Sequence, residues 1–313
     1  MKRIILITVT AAVMTMTCCE SPTEPVSGWV YGGEMYDCRP GTGKWHSLAM
    51  SLGVAVVPQT GIVYVAVSYE TWRVHPPTDV QYFTANGRYV GTWVGDRNAE
   101  FLDVATSPSR NRVYVADRPN HRVLYYTVQG SLVGEWAVSG APVSIAVSPA
   151  DGNVYVDAHH SIQYFTADGS YLGAWGEEGS GNGQFRSPYG VAVAPDTGYV
   201  YVADTFNNRV QYFTATGSFL GKWGAPGSGD GAFKEPTGVA VSPADGNVYT
   251  VDRGNNRVQY FTSDGSFVGT LGSYGSGNGQ FYLPWALCFN GTGNRLYVTE
   301  SPFARVQYFV YYP

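Results

Sequence analysis

The chain has 313 residues, 44% of them hydrophobic and 14% charged, with a formal net charge of −5. Its 19 lysines and arginines are scattered, so the concentrated positive field that holds a phosphate backbone is missing and nucleic acid is excluded as an expected partner. Outside the first twenty residues no helical periodicity is visible; short β-branched and aromatic runs alternate with Gly, Asp, Asn and Pro clusters, the pattern of an all-β chain.

Met1-Lys2-Arg3 and the apolar run from Ile4 to Val13 read as a secretory signal, too short for a comfortable membrane span. Residues 1–19 are assigned to this signal, 20–25 to a short tether and 26–313 to one domain. Cys18-Cys19 ahead of Glu20-Ser21-Pro22-Thr23-Glu24-Pro25 resembles the end of a bacterial lipoprotein signal, although Thr15-Met16-Thr17 stand where such signals carry Leu and a small residue. The resemblance implies a lipid on Cys18 or Cys19; ordinary cleavage is the alternative. Both place the mature chain outside the cytoplasm, lipid-anchored or secreted, with that lipid as its only expected membrane contact.

Ser27-Gly28-Trp29-Val30-Tyr31-Gly32 is a lone strand candidate. After it a unit of about 48 residues recurs. Its Val-Tyr-Val run appears at Val63–Val65, Val113–Val115, Val154–Val156, Val200–Val202, Val248–Thr250 and Leu296–Val298, spaced 50, 41, 46, 48 and 48 residues apart. Each copy offers four strands. In the fifth copy they are Val239-Ala240-Val241, the run at Val248, Val258-Gln259-Tyr260-Phe261 and Ser266-Phe267-Val268-Gly269. Six copies of four antiparallel strands predict an all-β, six-bladed β-propeller. The sixth copy ends at Pro313 without a fourth strand, so the strand at 27–32 is expected to complete it and close the ring.

Val200-Tyr201-Val202-Ala203-Asp204 followed by Asn207-Asn208-Arg209-Val210 resembles the NHL repeat. The fifth copy matches as closely, and the second carries Asn120-His121-Arg122-Val123. The resemblance spans roughly residues 26–313. It implies the same propeller and leaves function open, because that family includes RNA-binding propellers, extracellular sensor domains and a metal-dependent peptide-amidating lyase.

Four acid–base pairs recur on one hairpin of the repeat: Asp117 with Arg122, Asp204 with Arg209, Asp252 with Arg257, and Glu300 with Arg305. Copies one and three lose acid and base together, with Val67 and Asp79 in one and Ala158 and Ser161 in the other. Such coupled loss reads as a local ion pair bracing each hairpin, worth about 0–1 kcal/mol if exposed. The glycine runs at 179–183, 227–231 and 275–279 precede strands, not helices, so they are inter-blade turns and not phosphate cradles. Phe185, Phe233 and Phe281 after them are expected to plug the gaps between blades.

Catalytic groups of a propeller are expected where the inner strands begin. The aligned ring there is Gly53, Asp103, Ser144, Gly190, Gly238 and Ala286, with one carboxylate and no His. A catalytic zinc needs about three protein ligands, so no metal or cofactor is expected. The resemblance implies His ligands from several blades for the lyase. Only His121 occupies such a position, with Asn208, Asn256 and Ala304 elsewhere. His159-His160 lie on the shortened hairpin of copy three. Neighbours in an extended strand point opposite ways, so a shared metal is awkward and a solvated turn is the plain alternative.

Trp72 and Arg73 sit on the longest hairpin, in copy one, and are residue types enriched at interface hot spots. Tyr189 and Trp285, just before inner strands, should rim the same face, as a binding cup or simply as packing between blades. Cys38 and Cys288 are a candidate disulfide, with a buried free Cys288 as the alternative. The expected role is a monomeric, non-catalytic binding or scaffold module for a protein, peptide or glycan, acting through Trp72, Arg73, Asp103, His121, His159, His160, Tyr189 and Trp285. The alternative is a metal-assisted lyase or lactonase-type hydrolase built on Asp103 with His121 or His159.

Overall fold

A computed structural model describes residues 28–36, 49–69, 78–95, 98–107, 109–301 and 305–312. Among them, 24 strands, from β1 (Gly28–Tyr36) and β2 (Ala49–Val56) to β24 (Arg305–Tyr312), form six four-stranded antiparallel sheets. Five blades take four consecutive strands each. The sixth has the order β1-β24-β23-β22, where β22 is Pro284–Phe289 and β23 Arg295–Glu300. Gly28 faces Tyr312 and Tyr36 faces Arg305 across that closing pair. The expected ring closure by the N-terminal strand is thus present.

The repeat explains the geometry. The central Tyr of the second strand is buried in every blade (Tyr64, Tyr114, Tyr155, Tyr201, Tyr249 and Tyr297). A buried phenol needs a partner for its hydroxyl, and the next blade supplies it. Tyr64, Tyr114, Tyr155 and Tyr201 donate to the carbonyls of Val128, Ala167, Ala215 and Ser263 at 2.8–3.1 Å. Tyr297 of blade six donates to Ala85 of blade one at 3.3 Å, and Trp29 of β1 donates to the Tyr249 hydroxyl at 3.1 Å. A bond from this Tyr hydroxyl to the next blade therefore recurs around the whole ring, seam included, with the Tyr249 hydroxyl accepting where the others donate.

Between blades, Phe185, Phe233 and Phe281 are fully buried, 5.5–5.7 Å from Phe213, Phe261 and Phe309. Gly217 turns at φ +91° between the third and fourth strands of blade four, and a Cβ there would lie 2.5 Å from the Trp175 indole of blade three. Any side chain at this position would collide with the ring and adopt a strained left-handed backbone.

Two faces result. The lower face carries the turns between first and second strands and between third and fourth. The upper face carries the second-to-third hairpins and the glycine-rich connectors between blades.

Candidate functional site

On the upper face the repeat's acid, Asn and Arg pin the connectors. Asp204 is fully buried and accepts from Arg209 Nε at 2.7 Å, Asn207 Nδ2 at 2.9 and 3.0 Å, Gln211 Nε2 at 3.1 Å and Arg186 N at 2.8 Å. Arg209 also donates to the carbonyls of Ser180, Gly181 and Gln184 at 2.7–2.8 Å.

Blade five repeats the arrangement. Arg257 donates through Nε to Asp252 at 2.8 Å and through Nη2 to the carbonyls of Gly229 and Ala232 at 2.6 and 3.2 Å. In blade six, Arg305 pairs with Glu300 at 2.6 Å and reaches the carbonyls of Ser276 and Gln280. In blade two, Arg122 pairs with Asp117 at 2.7 Å and with Glu135 at 2.8 Å.

The expected ion pair braces each of the four hairpins; its acid is buried, and in blades four to six its Arg reaches beyond the hairpin. Asp117, Asp204, Asp252 and Glu300 are sealed from solvent, and the side chains of Arg257 and Arg209 are only 13% and 8% exposed. The reason is that Arg209, Arg257 and Arg305 span the gap to the glycine connector, which folds over each pair. Their hydrogen bonds are spent on that connector, which leaves these acids no chemistry to offer a ligand.

Ser187, Glu235 and Leu283 hold positive φ of 46–50° at the ends of the connectors. The amides of Glu235 and Leu283 donate to the side chains of Asn208 and Asn256 at 2.9 and 2.8 Å, and that of Ser187 donates to His160 Nδ1 at 3.4 Å. His160 therefore takes the Asn role in the shortened blade-three hairpin. The two histidines form the turn that is the alternative to a shared metal, not an extended pair. His159 turns at φ +70°, and the two rings meet edge-on at 4.0 Å, because two residues must reverse the chain. His121 is an exposed turn residue at φ +51°, with the left-handed backbone of Asn208 and Asn256.

The channel begins at the predicted ring. There the first strands bulge, with register shifts between Ser51 and Val54, Phe101 and Asp103, Pro142 and Ser144, Pro236 and Val239, and Pro284 and Leu287. The bulges press the backbones together: a Cβ on Gly238 would lie 2.8 Å from Ala286 Cα, and one on Gly53 would strike Asp103. Asp103 accepts from Ser144 Oγ at 2.8 Å, Ile145 N at 3.0 Å and Val104 N at 2.9 Å. Burial pushes its carboxyl up to about 6, against those three hydrogen bonds. Ser144 Oγ in turn accepts from Val191 N at 3.2 Å.

Below the ring lies a cavity of about 400 Å³, walled by Val56, Val104, Ile145, Val193, Val241 and Leu287, with Pro58, Pro149, Pro195 and Pro243 at its lower end. Above the ring, buried Leu52, Leu102 and Val143 form a plug with Tyr189 and Trp285 packed on it. Tyr189 and Trp285 thus cap the channel, not the gaps between blades, and their rings lie 5.6 Å apart. Phe206 stands 6.3 Å from Tyr189 and is 49% exposed. Arg253 lies over the Trp285 ring at 5.4 Å and pairs with Glu235 at 3.0 Å.

Residues expected at a metal site are not brought together. Asp103 is engaged by Ser144 and two amides, while His121 and His159 sit in hairpin turns. Among the described residues no three His, Cys, Asp or Glu side chains converge as ligands, so these residues do not fit a catalytic metal. Cys288 carries a free thiol lining the cavity, its pKa pushed up by burial and by the Asp103 charge. Cys38, Trp72, Arg73, Cys18 and Cys19 lie outside the described residues.

Sequence reasoning passed over Asp157. It is fully buried with both carboxylate oxygens unpartnered. Burial holds its carboxyl well above the usual range, and the charges of Asp204 and Asp103 add to this. The signal was present: blades one, two and four place Ala66, Ala116 and Ala203 there.

The model of the NHL repeat matches residues 233–261. No curated protein sequence matches the chain. Among solved structures, the chain is similar to a gluconolactonase from Xanthomonas campestris, at 18% identity over 86% of this chain and 88% of that one, with a TM-score of 0.61. It is similar to a catalytically inactive virginiamycin B lyase from Staphylococcus aureus, with quinupristin, at 14% identity over 90% and 99%, TM-score 0.61. An auxiliary nutrient-binding protein from Bacteroides thetaiotaomicron matches at 13% identity over 84% and 69%, TM-score 0.63. Identities this low establish fold and not activity: the chain is a six-bladed propeller with an NHL repeat at residues 233–261.

Proposed function

We propose that this protein is an exported, lipid-anchored, monomeric binding module that recognises a protein or peptide segment on its upper face without chemistry of its own. One observation carries this reading: Tyr189 and Trp285 pack on the plug at the upper end of the channel, with Phe206 beside the Tyr189 ring and Arg253 over the Trp285 ring. Aromatic and Arg side chains over a closed, dehydrated floor are the composition of interface hot spots. The exposed face of Phe206 offers apolar area at low entropy cost. The Arg253–Glu235 pair offers one donor–acceptor edge. The lyase and lactonase alternative has neighbours in fold but lacks converging ligands among the described residues.

Peptide and glycan arrays, each probed with the mature protein and with Phe206→Ala and Trp285→Ala, test the proposal. A peptide signal weakened at least tenfold in both variants supports it. Binding that is intact in both, a glycan-only signal, or a stoichiometric metal lost on Asp103→Ala overturns it. Mass spectrometry of the mature N-terminus reads whether Cys18 or Cys19 carries lipid.

A further inference from the structure

We infer that the central channel is a second binding site, open on the lower face, for a slender apolar molecule ending in a protonated amine. The cavity of about 400 Å³ falls in the range of small-molecule sites. Val143, Tyr189 and Trp285 bound its upper end, backed by Leu52 and Leu102, so a guest enters past Pro58, Pro149, Pro195 and Pro243. Its wall is mostly apolar, with Ser144, Thr106 and Asn290 as polar members besides Asp103; from Asp103 to Thr106 the strand rises about 10 Å, matching a short extended alkyl chain.

At the blind end stands Asp103. A carboxylate offers about four acceptor sites, and Ser144 Oγ, Ile145 N and Val104 N fill three of them. One acceptor direction remains, and no Lys, Arg or His side chain lines the cavity among the described residues. An anion in an apolar cleft without a counter-charge is costly. An ammonium group placed at Asp103 supplies both the missing donor and the missing charge, while its alkyl tail removes apolar wall from water. An alcohol supplies the donor alone, and a fatty acid brings a second negative charge. The arrangement therefore ranks amine over alcohol over carboxylate for the same tail. This site differs from the upper-face one by its entrance past the prolines, although Tyr189 and Trp285 border both.

The probes are octylamine, octanol and octanoate, titrated calorimetrically into the purified mature protein and into Asp103→Asn. Octylamine is expected to bind at least tenfold tighter than octanol, with octanoate weakest. Asp103→Asn should bring octylamine to the level of octanol. Should that variant not fold, the unmodified protein still decides the matter. Octylamine should slow methylthiolation of Cys288, which lines the same cavity, as read by site-resolved mass spectrometry. Octylamine binding no tighter than octanol, an affinity indifferent to Asp103→Asn, or no protection of Cys288 overturns the inference.

Discussion

Asp157→Ala should make the protein more stable, and more so at neutral pH than in acid. The carboxyl sits in the second strand of blade three at the position of Ala66, Ala116 and Ala203, fully buried and without a hydrogen-bond partner. An unsatisfied buried polar group costs about 1–3 kcal/mol. In a domain of this size that corresponds to a Tm gain of about 2–5 °C on its removal. The pH dependence follows from linkage. The folded carboxyl is raised above its unfolded value, through burial first and then the charges of Asp204 and Asp103. Its contribution to stability is fully present below the unfolded pKa, near 3.9, and is lost as pH rises through the folded value. Urea unfolding at pH 4.5 and 7.5 measures both effects. A variant less stable than the parent at both pH values, or a gain that does not grow with pH, would refute the assignment of Asp157 as an unpaired buried acid.

Arg209→Ala strands the sealed Asp204 carboxylate and frees the connector at 180–184, so it should lower stability by about 3–5 kcal/mol in urea titrations. His160→Ala removes the acceptor for Ser187 N and should cost about 1 kcal/mol, whereas His160→Asn restores the arrangement of blades four and five and should recover most of it. Asp103, with its carboxyl raised to about 6 by burial, adds stability below about pH 4 that is lost as pH rises through about 6. A stability–pH profile should flatten across that window in Asp103→Asn.

The blades were legible because each copy repeats one alternation, inward and outward, and because turn residues mark every strand end. Ring closure followed from a missing fourth strand at one end and a spare strand at the other. The acid–base pairs were legible from their joint loss in blades one and three, and their burial was not. Burial of Asp252 and Arg257, for example, depends on the connector at 227–232 folding over them, and that stretch precedes the pair by some twenty residues. Asp157 was hidden by register. Moving the acid one residue earlier than Asp204 turns it to the opposite face of its sheet, away from the Arg position. Tyr189 and Trp285 could be placed at the rim. Their packing on Leu52, Leu102 and Val143 was legible as well, because all five stand one residue before the aligned ring of Gly53, Asp103, Ser144, Gly190 and Ala286, although that layer was not read as a plug. Phe206 and Arg253 occupy turn positions that vary from copy to copy, so they carried no periodic signal.

Hydroxyl-radical footprinting with and without the best array peptide tests the proposed upper-face recognition most directly. Protection of Phe206, Tyr189 and Trp285, with Tyr171 and Leu132 on the outer strands unchanged, is the predicted pattern. Protection confined to the proline-ringed lower mouth, or spread evenly over the surface, would contradict it.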